Sequence, residues 1–162
     1  IFLVWRLKLS IYVAKSIAPI GAAVTFFALF SGSIWGIPTW GTWWQWDARI
    51  TSTLILLIMY LGLISLHSSF NNYEKADRFF AIIVLAGVIY IPIIKKSVAW
   101  WSTLQQSESI TLTDAPSIDP LMLAPLFLSI VSFFGLIMGI VILSSRYEVL
   151  LREQSKSWVK SL

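Results

Sequence analysis

The residues with the most distinctive chemistry are tryptophans, and five of the chain's nine lie between Trp35 and Asp47. This stretch reads Trp-Gly-Ile-Pro-Thr-Trp-Gly-Thr-Trp-Trp-Gln-Trp-Asp and separates two apolar runs. Indole rings gather at membrane boundaries as anchors. They also form flat surfaces on which a planar or cationic ligand can stack. The tryptophans therefore indicate either an interfacial anchor or a ligand surface.

The composition predicts an all-α membrane protein. The chain is 57% hydrophobic and 12% charged, whereas a soluble domain carries about a quarter charged residues. Spanning a bilayer takes roughly 20 apolar helical residues. Only helices or closed barrels satisfy the backbone in lipid, and these runs are too long, and alternate too little, for barrel strands. We expect one multi-pass helical bundle over residues 1–162, with four spans at about 16–36, 50–70, 79–101 and 120–145.

The positive residues predict the orientation. Three regions expected on one side hold nine of the twelve Lys and Arg residues, and the positive-inside rule places that side in the cytoplasm. The outer segments are then 37–49 and 102–119, and 146–162 is a cytoplasmic tail. The net charge of +4 reflects Lys and Arg residues that determine the orientation of the protein in the membrane, and we predict no nucleic-acid partner. The apolar start, Ile1–Trp5, is typical of the tail of a preceding helix, with further N-terminal helices missing.

The tryptophan stretch itself is predicted to form a short amphipathic helix at the outer interface. Gly36 and Pro38 are expected to end the first span. If Thr39–Asp47 is helical, one set of side chains shares a stripe and Trp46 points elsewhere. Gly41 leaves the backbone open to close approach. The residues expected on the stripe are Trp40, Trp43, Trp44 and Asp47.

The predicted topology concentrates tryptophans on one side of the membrane. Only Trp5 and Trp158 fall on the inner side. The other seven are predicted to lie outside: Trp35, Trp40, Trp43, Trp44, Trp46, Trp100 and Trp101. Anchoring alone does not require such a one-sided distribution, so a ligand surface is favoured for the cluster.

Two charged residues after the tryptophans have alternative roles. Asp47 is a natural N-cap for the second span and is also part of the candidate surface. Arg49 could extend to lipid head groups or pair with a ligand carboxylate. The loop 102–119 is either a solvated linker or a second binding segment.

The segment Trp40–Asp47 resembles the WWD signature of the haem-handling protein family of cytochrome c maturation. Its continuation, Asp-Ala-Arg-Ile-Thr-Ser over 47–52, resembles the CcmC branch of that family more than the CcmF and CcsA branches. Further matches at 18–21, 91–94, 97–104 and 117–120 extend the resemblance over nearly the whole chain.

This resemblance implies a protein of the inner membrane of a Gram-negative bacterium or a mitochondrion. It would bind haem b transiently on its outer face and deliver it to the haem chaperone CcmE. The implied partners are the ATP-binding-cassette subunits CcmA and CcmB, the small subunit CcmD and membrane lipid. The implied haem-binding residues are Trp40, Gly41, Trp43, Trp44, Trp46, Asp47, Arg49, Trp100 and Trp101.

The sequence departs from the family at the axial iron ligands. The family uses two outer histidines; one would lie upstream of Ile1, and the position of the other is occupied by Gln105. A glutamine amide is a weak iron ligand compared with imidazole. We therefore predict no metal ligand from this chain, and stacking and propionate contacts would carry more of the binding. His67 lies about 30 Å along a helix from Asp47, at the opposite membrane face.

Two other functions remain open from the residues alone. A transporter subunit predicts ionisable residues inside spans, and the sequence offers only His67, near a span end. A structural subunit that binds no haem would anchor a membrane assembly. No Ser-His-Asp set, metal cluster or phosphate loop is recognisable in the sequence, so an enzyme is not predicted.

Overall fold

A computed structural model describes residues 8–70, 73–100 and 118–154. The regular structure of these ranges consists of four helices: α1 (Lys8–Trp40), α2 (Ala48–Ser69), α3 (Tyr73–Trp100) and α4 (Pro120–Arg152). The predicted all-α class is confirmed. The expected tail of a preceding helix, Ile1–Trp5, lies outside the described residues.

All four helices are long and apolar enough to cross a membrane, as the composition predicts. α1 and α4 have 33 residues each, which corresponds to about 50 Å at ~1.5 Å per residue. Both are longer than the apolar runs within them because each helix continues through charged residues at one end, such as Lys15 in α1 and Arg146 in α4. These helices therefore extend past a hydrocarbon core of about 30 Å.

The helices pack as consecutive neighbours. α1 packs against both α2 and α4, and α2 packs against α3. Only residues 70–72 separate α2 from α3, so these two helices run antiparallel. The buried hydrophobic core lies toward one end of the bundle. Its members come from α1, α2 and α3: Ile11, Tyr12, Ala18, Leu63, Phe80 and Ala81.

A charge network, formed around Arg152, closes this end of the bundle. The guanidinium donates two hydrogen bonds to the carboxylate of Asp77, at 3.0 and 3.2 Å. It also donates to Glu148 at 2.9 Å and lies 4.9 Å from the ring centre of Tyr12. Lys15 forms an ion pair with Glu148. The first turns of α1 and α3 therefore meet the last turns of α4.

The opposite end of the bundle follows from this arrangement. It holds the end of α1, the start of α2, the end of α3 and the start of α4. Residues 41–47, which connect α1 to α2, lie at that end. The fold thus places the tryptophans of residues 35–46 and Trp100 at the same end, far from the charge network.

Candidate functional site

The tryptophans are held by an α1 that runs further than the sequence predicts. The helix passes through Gly36 and Pro38 and ends at Trp40, so the prediction that those two residues end it is wrong. Pro38 has no N–H to donate, so the helix continues through it with one hydrogen bond missing. The helix ends where Gly41 adopts a positive φ of 73°. The Gly41 N–H donates to the Ile37 carbonyl at 3.0 Å, which is a left-handed C-terminal cap.

The short amphipathic helix predicted over Thr39–Asp47 is not formed. Residues 41–43 are bends and 44–47 are irregular, so the predicted stripe does not exist. The backbone conformation of Gly41 breaks the helical path. The Thr42 hydroxyl then bonds locally, donating to the Trp44 carbonyl at 3.1 Å and accepting from the Trp44 N–H at 3.4 Å. Such local bonds replace helical ones.

Within residues 35–47, which we name the tryptophan segment, the indoles form two groups. Trp35 and Trp40 meet edge to face, with ring centres 5.4 Å apart and planes at 88°. Trp44 contacts Trp43 at 6.0 Å and Trp46 at 5.7 Å. Trp46, which was expected to point elsewhere, therefore joins the second group. All three separations lie in the range of favourable aromatic pairs.

Two residues of this arrangement are absent from the predicted haem-binding residues. Trp35 packs on Trp40, and Gly36 is buried beneath the turn. A Cβ on Gly36 would lie 3.1 Å from both the Thr42 carbonyl oxygen and the Trp40 ring. The turn can therefore approach α1 closely only because residue 36 lacks a side chain. The close approach at Gly36 can be predicted only together with the continuation of α1 past Pro38.

The indole side chains differ in their exposure. Trp43 is 67% exposed and Trp46 is 76% exposed, so most of the surface of both rings is open. Trp44 between them is half-buried. Its Nε1 atom is buried and has no hydrogen-bond acceptor among the described residues. The segment thus offers two open rings around one buried donor.

Asp47 and Arg49 connect the segment to α2. Asp47 is the N-cap: its carboxylate accepts from the Arg49 N–H at 3.3 Å, and its carbonyl accepts from the Thr51 N–H at 2.8 Å. The structural role considered for Asp47 is therefore present. Arg49 is exposed in the first turn, and its carbonyl accepts the hydroxyls of Ser52 and Thr53.

Of the second outer segment, 102–119, only residues 118 and 119 lie within the described ranges, together with the end of the preceding helix. Trp100 is the last residue of α3 and is 63% exposed. It shares the end of the bundle with the tryptophan segment, but it belongs to a helix that packs on α2. Lys95 and Lys96 are exposed about one turn before it. Trp101, Gln105 and the rest of the loop up to residue 117 lie outside the described residues.

His67 lies near the carboxyl end of α2, and Asp47 caps the amino end of the same helix. The histidine therefore belongs to the end of the bundle opposite the tryptophans. Among the described residues, no group of three or more His, Cys, Asp or Glu is arranged to hold a metal ion. The chemistry of the described site is thus aromatic contact, one buried N–H donor and an exposed guanidinium.

Comparison with known proteins identifies relatives over nearly the whole chain. Heme exporter protein C of Haemophilus influenzae is 43% identical over 160 residues, covering 99% of this chain and 65% of the relative. The protein of the same name in Escherichia coli K12 is 45% identical, covering 99% and 64%. That of Bradyrhizobium diazoefficiens is 47% identical over 150 residues, covering 93% and 57%.

The chain therefore spans just under two thirds of the length of the first two relatives and a smaller share of the third. The sequence model of one protein family, CcmC, described as Heme exporter protein C, matches residues 1–160. A match of this extent, together with the identities to three separate bacterial relatives, shows that the chain belongs to the CcmC family.

Proposed function

We propose that this protein binds haem on the tryptophan segment and delivers it to the haem chaperone CcmE during cytochrome c maturation. Membership of a family described as Heme exporter protein C supports haem as the ligand. Haem is planar, is apolar on both faces and carries two propionates. Those three properties match open indole rings beside a cationic side chain.

The observation that carries the proposal is the exposure of Trp43 and Trp46 on a turn fixed at both ends. Gly41 caps α1 on one side and Asp47 caps α2 on the other. Neighbouring exposed aromatic rings on a fixed backbone form a contiguous apolar patch, and such patches mark ligand or interaction sites. Each favourable aromatic contact contributes about 0.5–1.5 kcal/mol beyond burial, so two such rings can hold a porphyrin weakly and reversibly.

Positive charge near the segment supports propionate binding. Arg49 lies in the first turn of α2, where the helix dipole also favours an anion. A planar guanidinium binds carboxylates better than an ammonium group does. Lys95 and Lys96 on α3 are exposed at the same end of the bundle and attract either propionates or lipid phosphates.

The outer side of the inner membrane is the proposed location of the tryptophan segment. The end of the bundle opposite the segment holds most of the positive residues in the described ranges. These are Lys8, Lys15, Lys75, Arg78, Arg146 and Arg152. The positive-inside rule then assigns that end to the cytoplasm. On this proposal haem b is held on the periplasmic side, or its mitochondrial equivalent.

The proposed partners follow from the family. CcmE receives the haem, and the ATP-binding-cassette subunits CcmA and CcmB with the small subunit CcmD assemble in the membrane with this protein. Gln105 stands where the family's histidine is expected, so the iron receives no imidazole ligand from that position. Transient binding through the porphyrin faces and propionates suits a protein that passes haem onward.

The experiment is haem titration of the full-length protein purified in detergent. Haemin is added and the Soret band is followed. Replacing Trp43→Leu, Trp44→Leu and Asp47→Asn together removes two rings and a charge while keeping an N-cap residue. We expect at least a tenfold loss of affinity, since several contacts of about 0.5–1.5 kcal/mol each disappear.

Phe134→Leu is the matched control, because Phe134 is a 63% exposed aromatic on α4, away from the segment. It should bind haem as the unaltered protein does. Thermal unfolding of each variant separates lost binding from lost folding. Unchanged haem affinity in the folded triple variant would contradict the proposal. Haem transfer is tested separately: CcmE is added, the two proteins are separated, and the Soret band shows which of them holds the haem.

A further inference from the structure

The buried N–H of Trp44 is the least explained polar group at the candidate site. Its Nε1 atom is shielded from solvent, and none of the described residues accepts its hydrogen bond. A buried donor without a partner costs about 1–3 kcal/mol relative to a satisfied one. Buried indole N–H groups usually find an acceptor. An unsatisfied one in a folded protein indicates strain, a missing water or a ligand.

The surroundings of Trp44 favour a ligand. Its ring is flanked by Trp43 and Trp46, with ring centres 6.0 and 5.7 Å away. Both flanking rings are mostly exposed, at 67% and 76%. Exposed side chains change rotamer within nanoseconds, so these rings can part to admit a planar molecule. The backbone of Trp44 is fixed by the Thr42 hydroxyl, so the donor itself stays in place.

The chemistry of an indole restricts the acceptor. Nε1–H donates only, so the partner must offer a lone pair. Hydrogen bonds to an ionised acceptor are shorter and about twice as strong as neutral ones. A carboxylate on the edge of a stacked ring would satisfy the donor. The exposed Arg49 at the start of α2 supplies the compensating positive charge.

We propose that the three tryptophans have separate tasks: Trp43 and Trp46 contact the faces of the ligand, and Trp44 Nε1–H donates to a carboxylate on its edge. This inference rests on the proposed function for the identity of the ligand as haem. It assigns to Trp44 the recognition of the propionate-bearing edge. Trp44 is thereby a specificity-determining residue that distinguishes carboxylated porphyrins from others.

The assignment has an unusual consequence for stability. Because none of the described residues accepts from this donor, Trp44→Phe removes an unfavourable group while keeping an aromatic ring. The ligand-free variant should unfold at the same temperature as the unaltered protein or a higher one. Its affinity for haem should nevertheless fall by about 10- to 100-fold, the effect of losing one hydrogen bond to a charged group. If Trp44 had only a structural role, Trp44→Phe would lower the unfolding temperature of the ligand-free protein as well as the haem affinity.

The test compares two iron porphyrins on the protein in a non-ionic detergent. Haemin carries two carboxylates, and iron octaethylporphyrin carries none. Trp44→Phe should weaken haemin binding and leave iron octaethylporphyrin binding unchanged. Trp46→Phe is the matched control, because its ring is open to solvent and its N–H is not the buried donor; it should treat both porphyrins alike.

Each outcome is decisive. Equal loss for both porphyrins in Trp44→Phe would show a stacking role and overturn the assignment. So would unchanged haemin affinity, or a marked fall in the unfolding temperature of the ligand-free variant. If Trp44→Phe weakens haemin binding only after phosphatidylglycerol is added, the acceptor of the Trp44 N–H is a lipid head group and the assignment is overturned. If the unaltered protein binds no haemin at all, the proposed function fails first, which is a distinguishable result.

Discussion

The ring of Tyr60 on α2 lies directly on Gly21 of α1. A Cβ placed on Gly21 would come within 2.6 Å of Tyr60 Cζ and 2.9 Å of the hydroxyl oxygen, closer than packed atoms allow. Small residues permit such close approach between membrane helices. This contact sets the distance between the two helices whose ends carry the tryptophan segment.

Gly21→Ala should therefore destabilise the protein by about 1–3 kcal/mol, the usual effect of forcing an extra methyl into a packed contact. Thermal unfolding in detergent measures it. Gly62→Ala on α2 is the matched control, because a Cβ there meets nothing within 4 Å. It should be neutral or slightly stabilising.

A double variant tests whether Tyr60 is the cause. Tyr60 also borders an apolar cavity of about 180 Å³ between α1, α2 and α3, so a smaller residue leaves room beside Gly21. Gly21→Ala with Tyr60→Leu should be less destabilised than the sum of the single variants. Simple additivity would show that the added methyl acts elsewhere.

Arg152 should be more important for stability than Arg146, the other arginine of α4. Arg152→Ala removes the two hydrogen bonds to Asp77, whose side chain is 10% exposed, and the contact with Tyr12. Loss of one partner of a buried ion pair costs about 3 kcal/mol or more. Arg146→Ala, at an exposed position of the same helix, should change stability by less than about 0.5 kcal/mol. Equal unfolding temperatures for the two variants would contradict this prediction.

Gly41 is required for its backbone conformation and not for space. A Cβ there meets nothing within 4 Å, but φ is +73°. Gly41→Ala should destabilise the turn by about 1 kcal/mol, with Gly41→Asn intermediate because asparagine tolerates this conformation better. Gly32→Ala, also in open space but without a positive φ, provides the control. Unfolding temperatures should rank Gly41, Asn and Ala in descending order.

The cap at Asp47 can be separated from any ligand role. Asp47→Asn keeps an N-cap side chain and should leave stability unchanged, whereas Asp47→Ala should cost about 1 kcal/mol. Asp119 caps α4 in the same way, accepting from the Leu121 N–H at 2.8 Å, so Asp119→Ala should have a similar effect on unfolding. Only the Asp47 variants adjoin the tryptophan segment. Haem affinity that falls equally in Asp119→Ala would count against the proposed site.

The four helices could be predicted because length and apolarity alone define a membrane span. The end of α1 could not, since Pro38 and Gly36 are both helix-breaking residues by type. A proline in a last turn loses only one hydrogen bond, and Gly36 is needed beneath Trp40 and Thr42. The helix ends just before Gly41, whose positive φ depends on the turn that follows.

The charge network could not be predicted for a different reason. Arg152 and Asp77 are 75 residues apart, and Lys15 and Glu148 are 133 apart. A single sequence contains no record of which distant charges meet. The tryptophans were recognisable by type and number, yet their pairing depends on a turn whose conformation is set by Gly41 and Thr42. The chemistry of the candidate site was thus easier to predict than its geometry.

The attachment of α4 has a mechanical consequence. Its buried residues, Val141 and Ser145, and its ion-pairing residues, Glu148 and Arg152, all lie in its second half. Within the described ranges the helix is a stiff rod of about 50 Å fixed near one end. A small angular deflection at the fixed end becomes a displacement of several ångströms at Pro120. The start of α4, which follows Gln105 in the sequence, is where such a displacement would be largest.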